Sequence, residues 1–159
     1  MDSLQFKAWL NSFHYYSESA NFRRPLIMGV LNVTPDSFTD CGNFLDSQRA
    51  LARARELIAA GADLIDIGGE STRPGAIPVS IDEELDRVLP VIELIRQEAS
   101  VCISIDTSKA VVMRAALAHG ANIINDVTAL QSDDALLAAV DLNVPVCLMH
   151  MQGTPETMQ

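Results

Sequence analysis

Basic residues are scarce in this 159-residue chain. Eleven Lys and Arg stand against 21 Asp and Glu, a formal charge of -10. A surface so acidic repels a DNA or RNA backbone or an anionic membrane, so neither is an expected partner. A small anion still fits, held locally by an arginine or by helix N-termini. Long apolar runs are also missing: none reaches the roughly 18 residues a membrane span requires, and polar residues interrupt the N-terminus MDSLQFKAWLNSFHYY every few positions. The expectation is a cytoplasmic protein.

Cysteine is sparse and odd in number. Cys41, Cys102 and Cys147 lie far apart, the last two inside apolar runs, which excludes a disulfide framework and predicts buried reduced thiols. The short spacing from Cys147 to His150 supplies two potential metal ligands, too few for a site by themselves. Hydrophobic residues nevertheless reach 48% and charged residues 20%, the balance of one folded domain with a sizeable core.

Five short apolar runs alternate with longer amphipathic segments: Leu26 to Val33, Leu64 to Ile67, Val101 to Ile105, Asn122 to Val127 and Val144 to Met149. Runs of Ile, Val and Leu without polar alternation are those of parallel strands buried on both faces. Between them, Leu51, Ala54, Leu57 and Ile58 make one helical stripe. A capping box, Ser80 with Glu83, starts a second helix through Ile81, Leu85, Val88, Leu89, Ile92 and Ile95, where Pro90 predicts a kink. Ser108 and Ser132 are the expected caps of two further helices. The segments Gly61-Ala-Asp-Leu-Ile-Asp66 and Gly120-Ala-Asn-Ile-Ile-Asn125 echo one another, each with a helix-ending glycine ahead of a strand. Such a βα series suits either a doubly wound sheet or a (β/α)₈ barrel. Residues 1–24, rich in aromatics, stand outside the repeat as a segment packed across the bottom of the sheet or as a mobile tail, and 25–159 form the domain proper.

Nearly every strand ends in a polar residue: Asn32, Asp66, Asp106, Asn125 with Asp126, and His150. In parallel α/β folds those ends share the face that carries the site. Each has a plainer reading. Asp66 suits a structural carboxylate accepting N–H groups of the next loop, Asp106 a helix cap, and His150 a core histidine. Asn125 and Asp126 point to opposite sides of their strand, so one of them faces the site. Two loops say more. The first, Asn32 to Asp40, sets Phe38 among a proline and acids. The second, GGESTRPGA, gives glycines for close approach, with Thr72 and Arg73 as donor and cation for a phosphate. Asp106 can accept two N–H donors from a guanidine-like ring edge and Asn125 can match a donor and acceptor pair, which suits a pterin or purine.

The segments Met28-Gly-Val-Leu-Asn-Val-Thr-Pro-Asp-Ser-Phe38, Gly61 to Ala76, Ser104-Ile-Asp-Thr-Ser-Lys109, Gly120 to Asp126 and Leu148-Met-His-Met-Gln-Gly-Thr-Pro155 resemble, in order and spacing, the dihydropteroate synthase family. The resemblance implies a (β/α)₈ TIM barrel that condenses 6-hydroxymethyl-7,8-dihydropterin pyrophosphate with p-aminobenzoate, releasing pyrophosphate, in a homodimer that sulfonamides inhibit. It implies that Asp106 and Asn125 hold the pterin edge and that Asn32 binds Mg²⁺ with the pyrophosphate. Thr72 and Arg73 would engage pyrophosphate and the p-aminobenzoate region, and Phe38 and Pro74 would line the p-aminobenzoate pocket. A barrel of this type needs roughly 250 residues. About five βα units are expected here, and residues 1–159 alone are expected to be inactive. The alternatives are another pterin-binding barrel, such as a methyltetrahydrofolate-corrinoid methyltransferase, which has no use for a pyrophosphate clamp, and a non-catalytic paralogue or fragment.

Overall fold

The computed structural model describes residues 1–11, 24–34, 43–71 and 76–150. After a short helix α1 (Ser3–Asn11), strands and helices alternate: β1 (Met28–Asn32), α2 (Asn43–Ala59), β2 (Leu64–Gly68), α3 (Ile81–Glu98), β3 (Cys102–Asp106), α4 (Ala110–Ala118), β4 (Ile123–Asp126), α5 (Ala135–Leu142) and β5 (Val146–Leu148). The five strands form one parallel sheet in sequence order, β1-β2-β3-β4-β5. A doubly wound sheet reverses its strand order at a switch point, and this one does not. It is the first five strands' worth of a (β/α)₈-type barrel.

Side-chain alternation divides the sheet. Leu31, Ile65, Ile67, Ile103, Ile105 and Ile124 face α2 to α5 and make the main core with Ala54, Val88, Ile92, Ile95, Val112 and Met113. The opposite face carries Leu64, Cys102 and Ile123 at its N-terminal end, covered by Phe6 of α1. Asp2 and Gln5 cap α1 reciprocally, Trp9 stacks on Phe6 at 6.1 Å, and the Met1 carbonyl accepts from the Cys102 amide at 2.7 Å. The start of the chain thus closes the bottom of this face.

The internal echo is structural. Gly61 and Gly120 both have positive φ, 100° and 114°, and both helices close with the same pair of bonds: Ala62 N to Leu57 O with Gly61 N to Ile58 O, and Ala121 N to Ala116 O with Gly120 N to Leu117 O. The next polar residue in each copy takes a neighbouring backbone N–H and an arginine. Asp63 accepts from Ile27 N and from both Arg24 nitrogens at 2.9, 2.7 and 2.6 Å. Asn122 Oδ1 accepts from Ile103 N at 3.1 Å and from Arg96 at 2.5 Å. Arg24 and then the Ile27 amide hold the Asp63 carboxyl down at about 2.

Several expectations need correcting. The Ser80–Glu83 capping box forms and Pro90 lies inside α3, but Ile81 is exposed while Glu84 and Val91 are buried. Lys109, not Ser108, stands at the N-cap of α4, and no side chain caps it. Asp134, in the left-handed region, replaces Ser132 at α5; the Ser132 carbonyl accepts from Ala135 instead. Burial on both faces holds for β2 and nearly all of β3. At the sheet edges Met28, Val30, Val146 and Leu148 are exposed, and so is Cys147, which was expected to be buried. An edge strand lacks a neighbour to cover its side chains.

Candidate active site

Register places the last residues of β1, β2 and β3 and the penultimate residue of β4 in one row across the face opposite the helices: Asn32 beside Gly68, Gly68 beside Asp106, Asp106 beside Asn125. Adjacent strands are about 4.8 Å apart, so the row spans about 14 Å. Gly68 keeps its middle open. A Cβ there would lie 3.5 Å from both Asn32 Oδ1 and Asp106 Oδ2, so a larger side chain would stand between the two oxygens.

Beneath the row, Asp66 is buried and accepts a hydrogen bond from Asn125 Nδ2 at 3.0 Å. This corrects the expectation that loop amides satisfy Asp66. A carboxylate accepts only, so it turns the NH₂ end of the Asn125 amide toward itself and leaves Asn125 Oδ1 as the available acceptor. Ser104, the neighbour of Asp66 in register on β3, lies buried beside the same carboxylate. Burial raises the Asp66 pKa, opposed by the Ser104 hydroxyl and then the Asn125 amide.

Asp126 takes the other role. Fully buried, it accepts from Thr128 N, Thr128 Oγ1 and Leu130 N at 2.8 Å each, and so holds a turn in which Ala129 and Leu130 adopt φ of 55° and 59°. Of the two residues, Asn125 is therefore the one on the site face.

Among the described residues no hydrogen bond engages the Asp106 carboxylate, which excludes the helix-capping alternative. Burial pushes it up to about 7, with further contributions from Asp66, Asp126, Glu84 and Glu70. A partly desolvated carboxylate in a negative field is complementary to a ligand edge rich in N–H donors.

Among the described residues, no three His, Cys, Asp or Glu side chains gather into a metal cluster. Asn32 Oδ1, exposed at the end of β1, is a hard oxygen donor. That suits Mg²⁺, which takes one or two protein oxygens and completes its shell with waters and substrate phosphates. Phe38, Thr72, Arg73 and Pro74 lie outside the described residues, and His150 is an exposed residue beyond β5.

Sequence reading missed a group beside the row. Lys109 Nζ bonds Glu70 Oε2 at 2.8 Å and Glu84 Oε2 at 2.5 Å, and Glu84 is fully buried. The available signal was Glu84 itself, a charge four residues before Val88 on the buried side of α3.

Five parallel strands in sequence order, with polar side chains converging on their C-terminal ends, define an enzyme-type α/β barrel face. Comparison with known proteins narrows the class. The profile of the pterin binding enzyme family matches residues 28–159, and the chain belongs to that family. It is 56% identical over 135 residues to a dihydropteroate synthase of Haemophilus influenzae, covering 85% of this chain and 49% of that protein. A solved Xanthomonas albilineans dihydropteroate synthase with 4-aminobenzoic acid superposes with a TM-score of 0.78 at 55% identity, over 82% of this chain and 48% of that one. A Burkholderia cenocepacia dihydropteroate synthase complexed with 7,8-dihydropteroate gives 0.72 at 52% identity, over 87% and 46%. The chain spans about half the length of the relatives it matches. No helix among the described residues is long and apolar enough to cross a membrane.

Proposed function

We propose that this chain supplies the pterin-binding half of a dihydropteroate synthase, which joins 6-hydroxymethyl-7,8-dihydropterin pyrophosphate to p-aminobenzoate. The observation that carries the reading is the row Asn32–Gly68–Asp106–Asn125, an acceptor-rich edge on a family fold whose relatives bear that name.

The ionised Asp106 accepts two N–H donors from the guanidine-like pterin edge. Asn125, its amide turned by Asp66, offers Oδ1 to a further donor. Asn32 is the residue that would hold Mg²⁺ against the pyrophosphate. Bound there, the ion would stabilise charge on the departing group. Thr72 and Arg73 engage the pyrophosphate and the p-aminobenzoate region, and Phe38 and Pro74 wall the p-aminobenzoate pocket. In the reaction the bond from the pterin methylene carbon to the pyrophosphate oxygen breaks, its electron pair leaving with pyrophosphate. The arylamine nitrogen then donates its lone pair to that carbon and loses a proton. The acceptors at Asp106 and Asn125 keep the pterin edge fixed while positive charge develops on the methylene. The acidic surface is in keeping with a cytoplasmic enzyme, and the resemblance to the synthase family with a homodimer of the whole barrel.

Calorimetry with the pterin pyrophosphate, with and without Mg²⁺, tests the reading. Mg²⁺-dependent binding supports it, whereas Mg²⁺-independent binding of the pterin alone would favour a methyltransferase-like barrel. Residues 1–159 alone give negligible turnover, since the relatives' barrels are about twice as long; dihydropteroate formed by the purified chain would overturn that.

A further inference from the structure

The connection from β2 to α3 leaves the sheet at Gly69 and returns at Ala76 to Ser80, and both ends are held by one cluster. Glu70 Oε1 accepts from Val79 N at 3.0 Å, bridging the outgoing and returning strands of the connection. Its other oxygen takes Lys109 Nζ at 2.8 Å, and the same ammonium reaches Glu84 Oε2 on α3 at 2.5 Å. Lys109 follows Asp106 by three residues, so the cluster ties the β3 end of the site row to the connection. The backbone is set against α3 as well. Arg87 donates to Gly69 O at 2.8 Å, and a Cβ on Gly69 would come within 2.8 Å of Val88 and 3.0 Å of the Glu84 side chain.

Two carboxylates around one ammonium leave a net negative charge, half-buried, at the edge of a site already rich in acids. A surface ion pair would contribute little to stability, and burying Glu84 costs solvation that the pair only partly offsets. Such a cluster is better suited to fixing geometry than to stabilising the fold. Burial alone would lower the Lys109 pKa, but the bonds to Glu70 and Glu84 outweigh it and raise it, so Lys109 stays charged.

We infer that Glu70, Lys109 and Glu84 form a positioning clamp that sets the spacing between the two ends of the β2–α3 connection, and thereby supports affinity for the pyrophosphate group. The second clause rests on the proposed function; the first does not. Glu70 touches no reacting atom, and it acts through the connection.

The test combines hydrogen exchange at the Val79 amide with calorimetry in Mg²⁺, comparing the pterin pyrophosphate with the hydroxymethylpterin that lacks pyrophosphate. Glu70→Ala leaves the Glu84–Lys109 pair intact and so keeps the fold. At pH 8, where Asp106 is ionised, it is expected to speed Val79 exchange about tenfold or more and to weaken the pyrophosphate ligand about tenfold, leaving the hydroxymethylpterin affinity unchanged. Glu70→Gln retains an oxygen for Val79 and restores most of both. Lys109→Met should free Val79 like Glu70→Ala. Val79 protection unchanged in Glu70→Ala, or equal loss for both ligands, would overturn the clamp. If the unsubstituted chain binds neither pterin, the proposed function fails while Val79 exchange alone still decides the clamp.

Discussion

Asn125 on β4 donates its side-chain N–H to the Asp66 carboxylate on β2 at 3.0 Å, although the two residues are 59 positions apart. One bond therefore sets which atom of the Asn125 amide faces a ligand. In Asp66→Asn the partner can donate or accept, and the orientation of Asn125 is no longer imposed. Pterin affinity should fall about tenfold, the scale of one net hydrogen bond to a charged group. The melting temperature should not fall, because a neutral isostere removes a buried charge. Calorimetry beside thermal denaturation reads both, and a loss of stability with unchanged affinity would contradict the assignment.

Asp106 opposes stability in the ligand-free protein. Its carboxyl sits at about 7 in the fold against 3.8 in a model peptide. The folded state thus holds a proton that the unfolded chain releases, and the contribution is fully present below 3.8 and lost as pH rises to about 7. Asp106→Asn removes this dependence and should stabilise the chain at pH 8 by about 1–3 kcal/mol, while abolishing pterin binding. Urea titrations at pH 5 and pH 8 measure it.

Pterin binding has the opposite pH slope. The ionised Asp106 is the form that accepts two N–H donors, so a proton competes with the ligand below about 7. Affinity should weaken about tenfold between pH 8 and pH 6, read by calorimetry at the two pH values. A flat profile in the unsubstituted protein would remove Asp106 from the binding edge.

Gly69→Ala tests the packing of the connection on α3. The added Cβ would lie 2.8 Å from Val88 Cγ1 and 3.3 Å from the Glu84 carbonyl oxygen, and backbone cannot give way as a side-chain end can. The expected loss is about 1–3 kcal/mol, read by chemical denaturation.

Strand positions were legible from the sequence because buried parallel strands leave near-continuous apolar runs, and the helix-ending Gly61 and Gly120 punctuate them. Strand order was not, since periodicity is the same in an open sheet and a barrel; register settled it. Asp106 and Asn125 stood out as strand-end polar residues. Their relationship to Asp66 did not, because a side-chain bond across the intervening strand β3 has no local signature. The caps at Ser108 and Ser132 failed for a related reason: a serine signals a possible cap, but here the Thr107 hydroxyl accepts from the Lys109 amide and the left-handed Asp134 starts α5. The exposed Cys147 reflects the edge position of β5, which its own apolar sequence does not announce.

The central claim is that these residues are the pterin-binding half of a dihydropteroate synthase. Its most direct test joins residues 1–159 to the C-terminal half of the Haemophilus influenzae dihydropteroate synthase and measures dihydropteroate formed from the pterin pyrophosphate and p-aminobenzoate. We expect turnover from the joined protein, a fall of about a hundredfold or more in its Asp106→Ala variant, and none from residues 1–159 alone. A folded joined protein that is inactive, or one whose Asp106→Ala variant keeps full turnover, would contradict the claim.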